Sequence, residues 1–562
     1  MSGLTTGEVA AGHRIDGAHA EAAPRWWQRE WVAIAALLIA AAVLFLAGLG
    51  GSTLWDQDEA KYTQVAREIL HTGDPITLHV NRTPWFVHPP LYMWLQAATG
   101  WAFGFSEFTA RVWSAVFGVI GILVTYLLGR MLFNRRTALL GAIVLMTMFQ
   151  YFAQSRLAIF DVVLVAFMLL AFYAFVRSIR ESAPRLRVWA FVWAGLGTLT
   201  KGPIALLLPA MAAAAFLWSR QDLHRWREIP WRTGLLVYAL IALPWYVAEF
   251  IRHGWPFVRT VIGYYTLTRF LGVVEGQAGP WWYYGPVFGL GAFPWTTFFL
   301  AMIPYHATRW KHEGSRVVLL WCGITVAFYS LAGTKLPNYV LPVYPMAALG
   351  IAALWDAFLS GERLTRRYVG VAFALTMAAL AVFAAEVSVF GHARYPDEFA
   401  ALQRHLLSVA IGIAIWLGAA TALHALRRPA ASFGVLASTT VMLAGVLIVW
   451  TMPLVEAHRP VKEVAERIRS VLQPGDVLIG VGISEQQTLL FYTDHRVEWV
   501  DDSTALLELV CRAPRAVIVT RSAQLEEHIR YLKSFVQVTI RPVVRRGDLA
   551  AVLKEGTAGC RR

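Results

Sequence analysis

The first 454 residues alternate between apolar blocks and short polar stretches studded with arginine. At about 1.5 Å per helical residue, a block of about 20 residues covers the ~30 Å hydrocarbon core of a bilayer. The pattern therefore predicts a polytopic α-helical membrane protein. Blocks at 31–50, 108–133, 137–152, 160–176, 188–200, 203–218, 234–251, 281–304, 317–331, 338–354, 369–390, 406–426 and 431–454 give about 13 transmembrane helices. The first follows Arg25, Arg29 and a polar leader, 1–30, and lacks a convincing cleavage site, so it reads as a retained anchor rather than a signal peptide.

Composition narrows the class. Hydrophobic residues make up 57% of the 562 and charged residues 15%, where a soluble chain carries about a quarter charged; a soluble enzyme is disfavoured. The net charge of +14 would suggest nucleic acid in a soluble protein. Here the arginines sit between apolar blocks, as in Arg135-Arg136, Arg185/Arg187, Arg225/Arg227, Arg366-Arg367 and Arg427-Arg428, where the positive-inside rule already accounts for them, and no nucleic-acid partner is expected. Counted from a cytoplasmic N-terminus, the inner loops hold about twice as many Lys and Arg as the outer ones. An odd number of spans then puts residues 455–562 outside the cytoplasm. Cys322, Cys511 and Cys560 are too few and too scattered for a disulfide framework or a thiolate metal site.

After residue 454 the pattern changes. Residues 459–472 have helical periodicity, 477–481 and 516–520 are short β-branched runs, and helical segments lie between them, so 455–562 reads as a small C-terminal α/β domain. Gly480-Val481-Gly482 lacks the third glycine of a dinucleotide fingerprint. The domain shows no convergent acid/base set and is expected to support rather than perform chemistry.

The loop 51–105 is too long for a plain connection, and long ordered loops are usually functional. Tyr62, Val65, Ala66, Ile69 and Leu70 recur at helical spacing, with Lys61, Gln64 and Glu68 on the other side, which predicts a helix lying in the membrane interface. A second such helix follows Pro89-Pro90, carrying Leu91, Trp94, Leu95 and Ala98. Together they form an amphipathic-helix platform. Asp56 and Glu59 have capping-box spacing, with Asp56 at the N-cap, while Asp58 falls in the first turn.

Ionisable residues near a membrane are costly and tend to face a cavity or a partner. Asp161 opens the fourth block after Arg156, with which it could form a simple anchoring pair; Lys201 and Lys335 lie in short turns before prolines, and Arg111 sits just inside the second block. All fall on the outer side. Carboxylates beside several cations suit transfer chemistry on a phosphate-bearing lipid, in which cations neutralise the leaving phosphate and a carboxylate accepts the proton of an attacking hydroxyl. Arg156, Lys201 and Lys335 are the candidate phosphate cations. The sequence contains no Walker lysine motif, HExxH or serine elbow.

Asp58-Glu59-Ala60-Lys61-Tyr62, Gly73-Asp74, Asn81, Phe86, His88-Pro89-Pro90-Leu91, Phe108-Thr109-Ala110-Arg111, Ser155-Arg156 with Asp161, Thr200-Lys201-Gly202-Pro203, Pro280-Trp281-Trp282-Tyr283-Tyr284, Pro294-Trp295 and Thr334-Lys335-Leu336-Pro337-Asn338-Tyr339 occur in this order. In this series the chain resembles the membrane glycosyltransferases of the GT-C fold, in the branch of the aminoarabinose transferases of lipid A and the bacterial relatives of protein O-mannosyltransferases. The resemblance implies a transmembrane glycosyltransferase domain over 31–454. It implies an inner-membrane enzyme that moves a sugar from a polyprenyl-phosphate carrier to lipid A or another envelope glycolipid, with inversion; a protein acceptor is the alternative. Asp58 and Asp161 are then the catalytic acids, and Glu59, Lys61, Tyr62, His88, Arg111, Arg156, Lys201, Lys335 and Tyr339 contact substrate. No cofactor is required, and dependence on a divalent metal stays open. The family's Arg in the first-loop motif is Lys61 here, its Lys before Pro-Pro is His88, and its His before Pro-Trp-Trp is Gln277. A transporter or a non-catalytic assembly protein would also bury charges in a helical bundle, but a transporter of this size usually shows an internal repeat with interrupted helices, which this sequence lacks.

Overall fold

The computed structural model describes residues 30–394, 396–457, 459–483 and 486–556. The leader expected at 1–30 lies outside these residues up to position 29, as does Cys560.

A helix stands at each of the apolar blocks. Among the described residues, seven helices are long and apolar enough to cross a membrane by length and composition, and Glu30–Leu46, Ile204–Ser219 and Val343–Leu359 are shorter apolar helices. The 281–304 block is not one straight span: Tyr284–Gly291 and Thr296–Thr308 meet at 112°, and Phe293-Pro294 at the break is a cis peptide. Two helices, Asp161–Arg180 and Val343–Leu359, are apolar almost all round and form the centre of the bundle. Small residues permit close packing at this centre: a Cβ on Gly129 would come within 2.8 Å of the Ala138 backbone. The long helix Glu107–Leu132 starts at a capping box in which Ser106 Oγ accepts from Thr109 N–H and Thr109 Oγ1 accepts from Ser106 N–H.

The platform contains the helix Asp58–Thr72, a hairpin of β1 (His79–Val80) and β2 (Thr83–Pro84), and the helix Leu91–Phe103. The second helix ends with exposed Trp101 and Phe103, as a segment in a membrane interface should. The first does not lie with a solvated polar face, as its periodicity suggested. Gln64 and Glu68 are buried; Glu68 accepts hydrogen bonds from Gln64 Nε2 (3.0 Å) and from the hairpin N–H groups of Asn81 (2.7 Å) and Arg82 (2.9 Å). Arg67 lies over Phe491 and donates to its carbonyl at 2.6 Å. The polar stripe is therefore an interface with the C-terminal domain.

That domain is a five-stranded sheet ordered β4-β3-β5-β7-β6, built from β3 (Val477–Val481), β4 (Val497–Val500), β5 (Arg515–Arg521), β6 (Thr539–Arg546) and β7 (Leu549–Glu555). β4, β3 and β5 run parallel, β7 runs antiparallel to β5, and β6 pairs antiparallel with β7 at the sheet edge. Alternation assigns its two faces: Leu478, Val517, Val519, Leu549 and Ala551 pack under Val461–Val471 and Gln487–Thr493, while Ile479, Val481, Ile518, Ala550 and Val552 pack under Ser503–Arg512 and Leu525–Phe535. Gly480 lacks a side chain because the Trp499 ring covers it, at 2.5 Å from any added Cβ. Cys511 is disulfide-bonded and Cys322 is free and buried.

Candidate active site

Asp161 opens its helix after an irregular 155–160 loop, where a carboxylate is favoured by the helix dipole. It is 5% exposed. Both its oxygens are engaged: Oδ1 with the Lys201 ammonium and Oδ2 with Asn338 Nδ2 at 2.7 Å. Lys201 ends the next helix, and the ammonium also faces the rings of Phe160 (5.3 Å) and Tyr339 (5.0 Å). The anchoring pair considered for Arg156 and Asp161 is therefore not formed. Arg156 Nη1 donates instead to the carbonyls of Leu44 and Phe45, both at 3.0 Å, and burial pushes its guanidinium down to about 10.

Asp58 is the exposed acid of the site. Its Oδ1 accepts from the Tyr62 hydroxyl at 3.0 Å, one helical turn along. Packing around the carboxyl raises its pKa; the Tyr62 hydrogen bond opposes the rise, the Asp161 charge adds to it, and Lys201 and Lys61 reduce it. His88 lies among Tyr62, Trp85 and Phe160, with ring centroids at 5.8, 5.7 and 4.7 Å. Burial, followed by the charges of Lys201, Arg269 and Lys61, holds it well below the usual imidazole range, so it is neutral at pH 7. It therefore brings no positive charge to the site.

Several expected substrate contacts are committed elsewhere. Glu59 and Arg111, each 2% exposed, form a two-pronged pair with both N···O distances at 2.9 Å. Glu59 also accepts from the N–H groups of Trp55 (3.0 Å) and Ala158 (2.5 Å), and Arg111 donates to the carbonyls of Leu49, Ser52 and Thr53. With their hydrogen-bonding groups consumed, they brace the site rather than face it. Lys335, expected at the phosphate, points back at the end of helix Glu313–Leu331 and donates to the carbonyls of Ser330 (2.8 Å) and Ala332 (2.6 Å), which makes it a helix C-terminal cap. Asp56 is not the N-cap: Gln57 holds that place without a side-chain cap, and Asp56 accepts from Thr488 of the C-terminal domain.

Sequence reading missed Arg269. It follows a π-helical stretch, Arg259–Thr268, of a kind common near functional sites. Its Nη2 donates to Gln277 Oε1 at 2.7 Å, its Nε is buried without a partner, and its charge reaches both His88 and Tyr62. No periodicity marks it; an arginine at the end of an interrupted apolar helix is the one available signal. Asn338 was visible as part of a motif but not as a partner of Asp161.

Asp58, held by the Tyr62 hydroxyl, thus stands within electrostatic reach of Asp161 and its partner Lys201, beside the helical bundle. Residues 87–247 match the dolichyl-phosphate-mannose-protein mannosyltransferase family. The chain is 30% identical over 400 residues, 69% of its own length and 70% of the relative's, to undecaprenyl phosphate-alpha-4-amino-4-deoxy-L-arabinose arabinosyl transferase 1 of Pseudomonas fluorescens. It is 31% identical over 362 residues to the corresponding Pseudomonas aeruginosa transferase, matching 62% of this chain but 64% of that relative, just under two thirds of its length. The crystal structure of ArnT from Cupriavidus metallidurans bound to undecaprenyl phosphate superimposes with a TM-score of 0.80 at 20% identity, covering 93% of this chain and 98% of that one. The chain thus belongs to the aminoarabinose transferase-like family of GT-C fold membrane proteins. It is a multi-pass inner-membrane protein.

Proposed function

We propose that this protein transfers a sugar, an aminoarabinose-like pentose or a hexose, from a polyprenyl-phosphate carrier to lipid A or another envelope glycolipid. The observation that carries this reading is the division of labour between two acids: Asp58 is accessible and has a raised pKa, whereas Asp161 is saturated by Lys201 and Asn338. An acceptor hydroxyl oxygen attacks the anomeric carbon while the bond to the carrier phosphate oxygen breaks and leaves its electron pair on the phosphate. The hydroxyl proton passes to Asp58. A single displacement of this kind inverts the anomeric centre. Asp161 holds Lys201, which with Arg269 and Lys61 neutralises the leaving phosphate.

The names of the relatives favour an aminopentose carried on undecaprenyl phosphate as the donor. Membranes supplied with radiolabelled polyprenyl-phosphate sugar should form labelled glycolipid; label confined to protein would move the acceptor to the protein alternative, and no labelled product would sink the reading. The residues present do not fit a metal. Gln277 gives its amide oxygen to Arg269, and among the described residues no three His, Cys, Asp or Glu side chains converge.

Binding of the carrier should depend on Lys201 and Arg269. Lys201→Met and Arg269→Met should each weaken polyprenyl-phosphate affinity by about tenfold or more, since each removes a charge-assisted contact of about 1.5 to 3 kcal/mol. Lys335→Met should leave affinity near wild type. Isothermal titration of purified proteins with polyprenyl phosphate distinguishes the two groups, and equal affinities throughout would remove Lys201 and Arg269 from the donor site.

The sidedness in this reading is N-terminus in, with the platform and C-terminal domain outside. Arginine asymmetry supports it, and a disulfide-bonded Cys511 suits an oxidising compartment. Alkaline phosphatase fused at Gly73 or Gly556 should be active and at Gly361 inactive; activity at Gly361 overturns the scheme.

A further inference from the structure

The segment that leads into the platform helix is held at each residue from 53 to 56 by groups about 400 positions later in the chain. Thr53 N–H and Oγ1 both donate to Glu456 Oε1, at 3.1 and 2.9 Å. Leu54 N–H donates to the Tyr492 hydroxyl at 2.9 Å, and its carbonyl accepts from Arg459 Nη2 at 3.0 Å. The Arg459 guanidinium lies 4.2 Å from the Trp55 ring centroid. Asp56 Oδ1 accepts from both N–H and Oγ1 of Thr488, at 2.9 and 2.6 Å.

The next residue, Gln57, has φ 70° and ψ −94°, a conformation that a residue with a side chain rarely adopts. Backbone of this kind persists only where its surroundings over-determine it. The grip on 53–56 supplies that constraint on one side. On the other, Glu59 is fixed by Arg111, and the start of the helix carrying Arg111 is tied to the C-terminal side of the chain as well: Glu107 Oε1 accepts from Lys462 Nζ at 2.6 Å and from the Tyr492 hydroxyl at 3.1 Å. Asp58 lies between these two anchorages.

We propose that the C-terminal domain is a template for the catalytic loop: by gripping residues 53–56 it holds the Gln57 turn and so fixes where the Asp58 carboxylate stands relative to Asp161 and Lys201. Asp56 and Thr488 are positioning residues, acting through Asp58 without touching substrate. This rests on the role given to Asp58 above and goes beyond the sequence expectation of a merely supporting tail. Displacement of a reacting group by about 1 Å is enough to cost up to about 100-fold in rate, so loss of the grip reads out in turnover before it reads out in folding.

The test uses the full-length protein with Asp56→Ala, Asp56→Asn and Thr488→Val. Asp56→Ala should lower kcat by about tenfold or more with KM for the carrier-linked sugar little changed, and should speed amide hydrogen exchange over residues 53–62 at an unaltered melting transition. Asp56→Asn keeps an oxygen for Thr488 and should retain most of the turnover. Thr488→Val, which leaves the N–H bond in place, should fall between. Wild-type kcat in Asp56→Ala, equal losses in the Ala and Asn variants, or unchanged exchange over 53–62 would each overturn the proposal. Exchange is measured without substrate, so a wild-type protein that forms no product would count against the functional reading while the exchange comparison still decides whether the template exists.

Discussion

Asp58→Asn lowers turnover by about 100-fold or more, the amount general-base catalysis contributes, and leaves carrier-lipid affinity near wild type. The substitution keeps the volume and the acceptor for the Tyr62 hydroxyl but removes the charge that receives the acceptor proton. The pH profile carries the same signature. Asp58 must be ionised to accept a proton and its pKa is raised in the folded protein, so activity is full above that raised pKa and is lost as pH falls through it. The acidic limb of kcat/KM should therefore lie above the ordinary carboxylate range of about 4, and it should vanish from the residual activity of Asp58→Asn. Kinetics on product formation across pH 4 to about 8 settle the matter; an unshifted limb, or near-normal turnover in the variant, would show that another group takes the proton.

Breaking the Glu59–Arg111 pair has the largest expected effect on stability. Both side chains are buried at 2% exposure, and removing one partner leaves the other charged and unpaired, at a cost of about 3 to 5 kcal/mol. Arg111→Met also releases the carbonyls of Leu49, Ser52 and Thr53. Each single variant, Glu59→Gln and Arg111→Met, should lower the thermal midpoint of the detergent-solubilised protein strongly, and the double variant should lose less than the sum. The exposed pair Arg177–Glu181 provides the contrast, since such pairs contribute at most about 1 kcal/mol. Intact midpoints in both single variants would return Glu59 and Arg111 to the list of groups free to meet substrate.

Much of the protein is written locally in its sequence. A long apolar block in a bilayer has few options, because unpaired backbone groups are intolerable in hydrocarbon and the helix satisfies them within one segment; a helix accordingly stands at each block, although 281–304 bends sharply and 137–152 breaks at Thr147-Met148. Asp161 and Lys201 stood out for a related reason, since a charge at the end of an apolar helix is costly unless it has work or a partner, whereas Asp58 stood out only through the motif series. In the C-terminal domain, β3 and β5 announced themselves as buried β-branched runs. β6 did not, because Arg541, Arg545 and Arg546 on this edge strand break the apolar alternation.

Tertiary structure alone decided the partners. Lys201 rather than Arg156 pairs with Asp161 across 40 positions, Arg111 reaches Glu59 across 52, and Thr488 reaches Asp56 across 432. Asp56 and Glu59 had the spacing of a capping box, yet each carboxylate found donors from elsewhere in the chain. Gln64 and Glu68 had the look of a solvated face until the hairpin and the C-terminal domain covered it. Periodicity encodes which side of an element is polar and says nothing of what will lie against it. The supply of hydrogen-bond partners depends on which distant segments the packed bundle brings close, and that is settled only when the whole chain has folded.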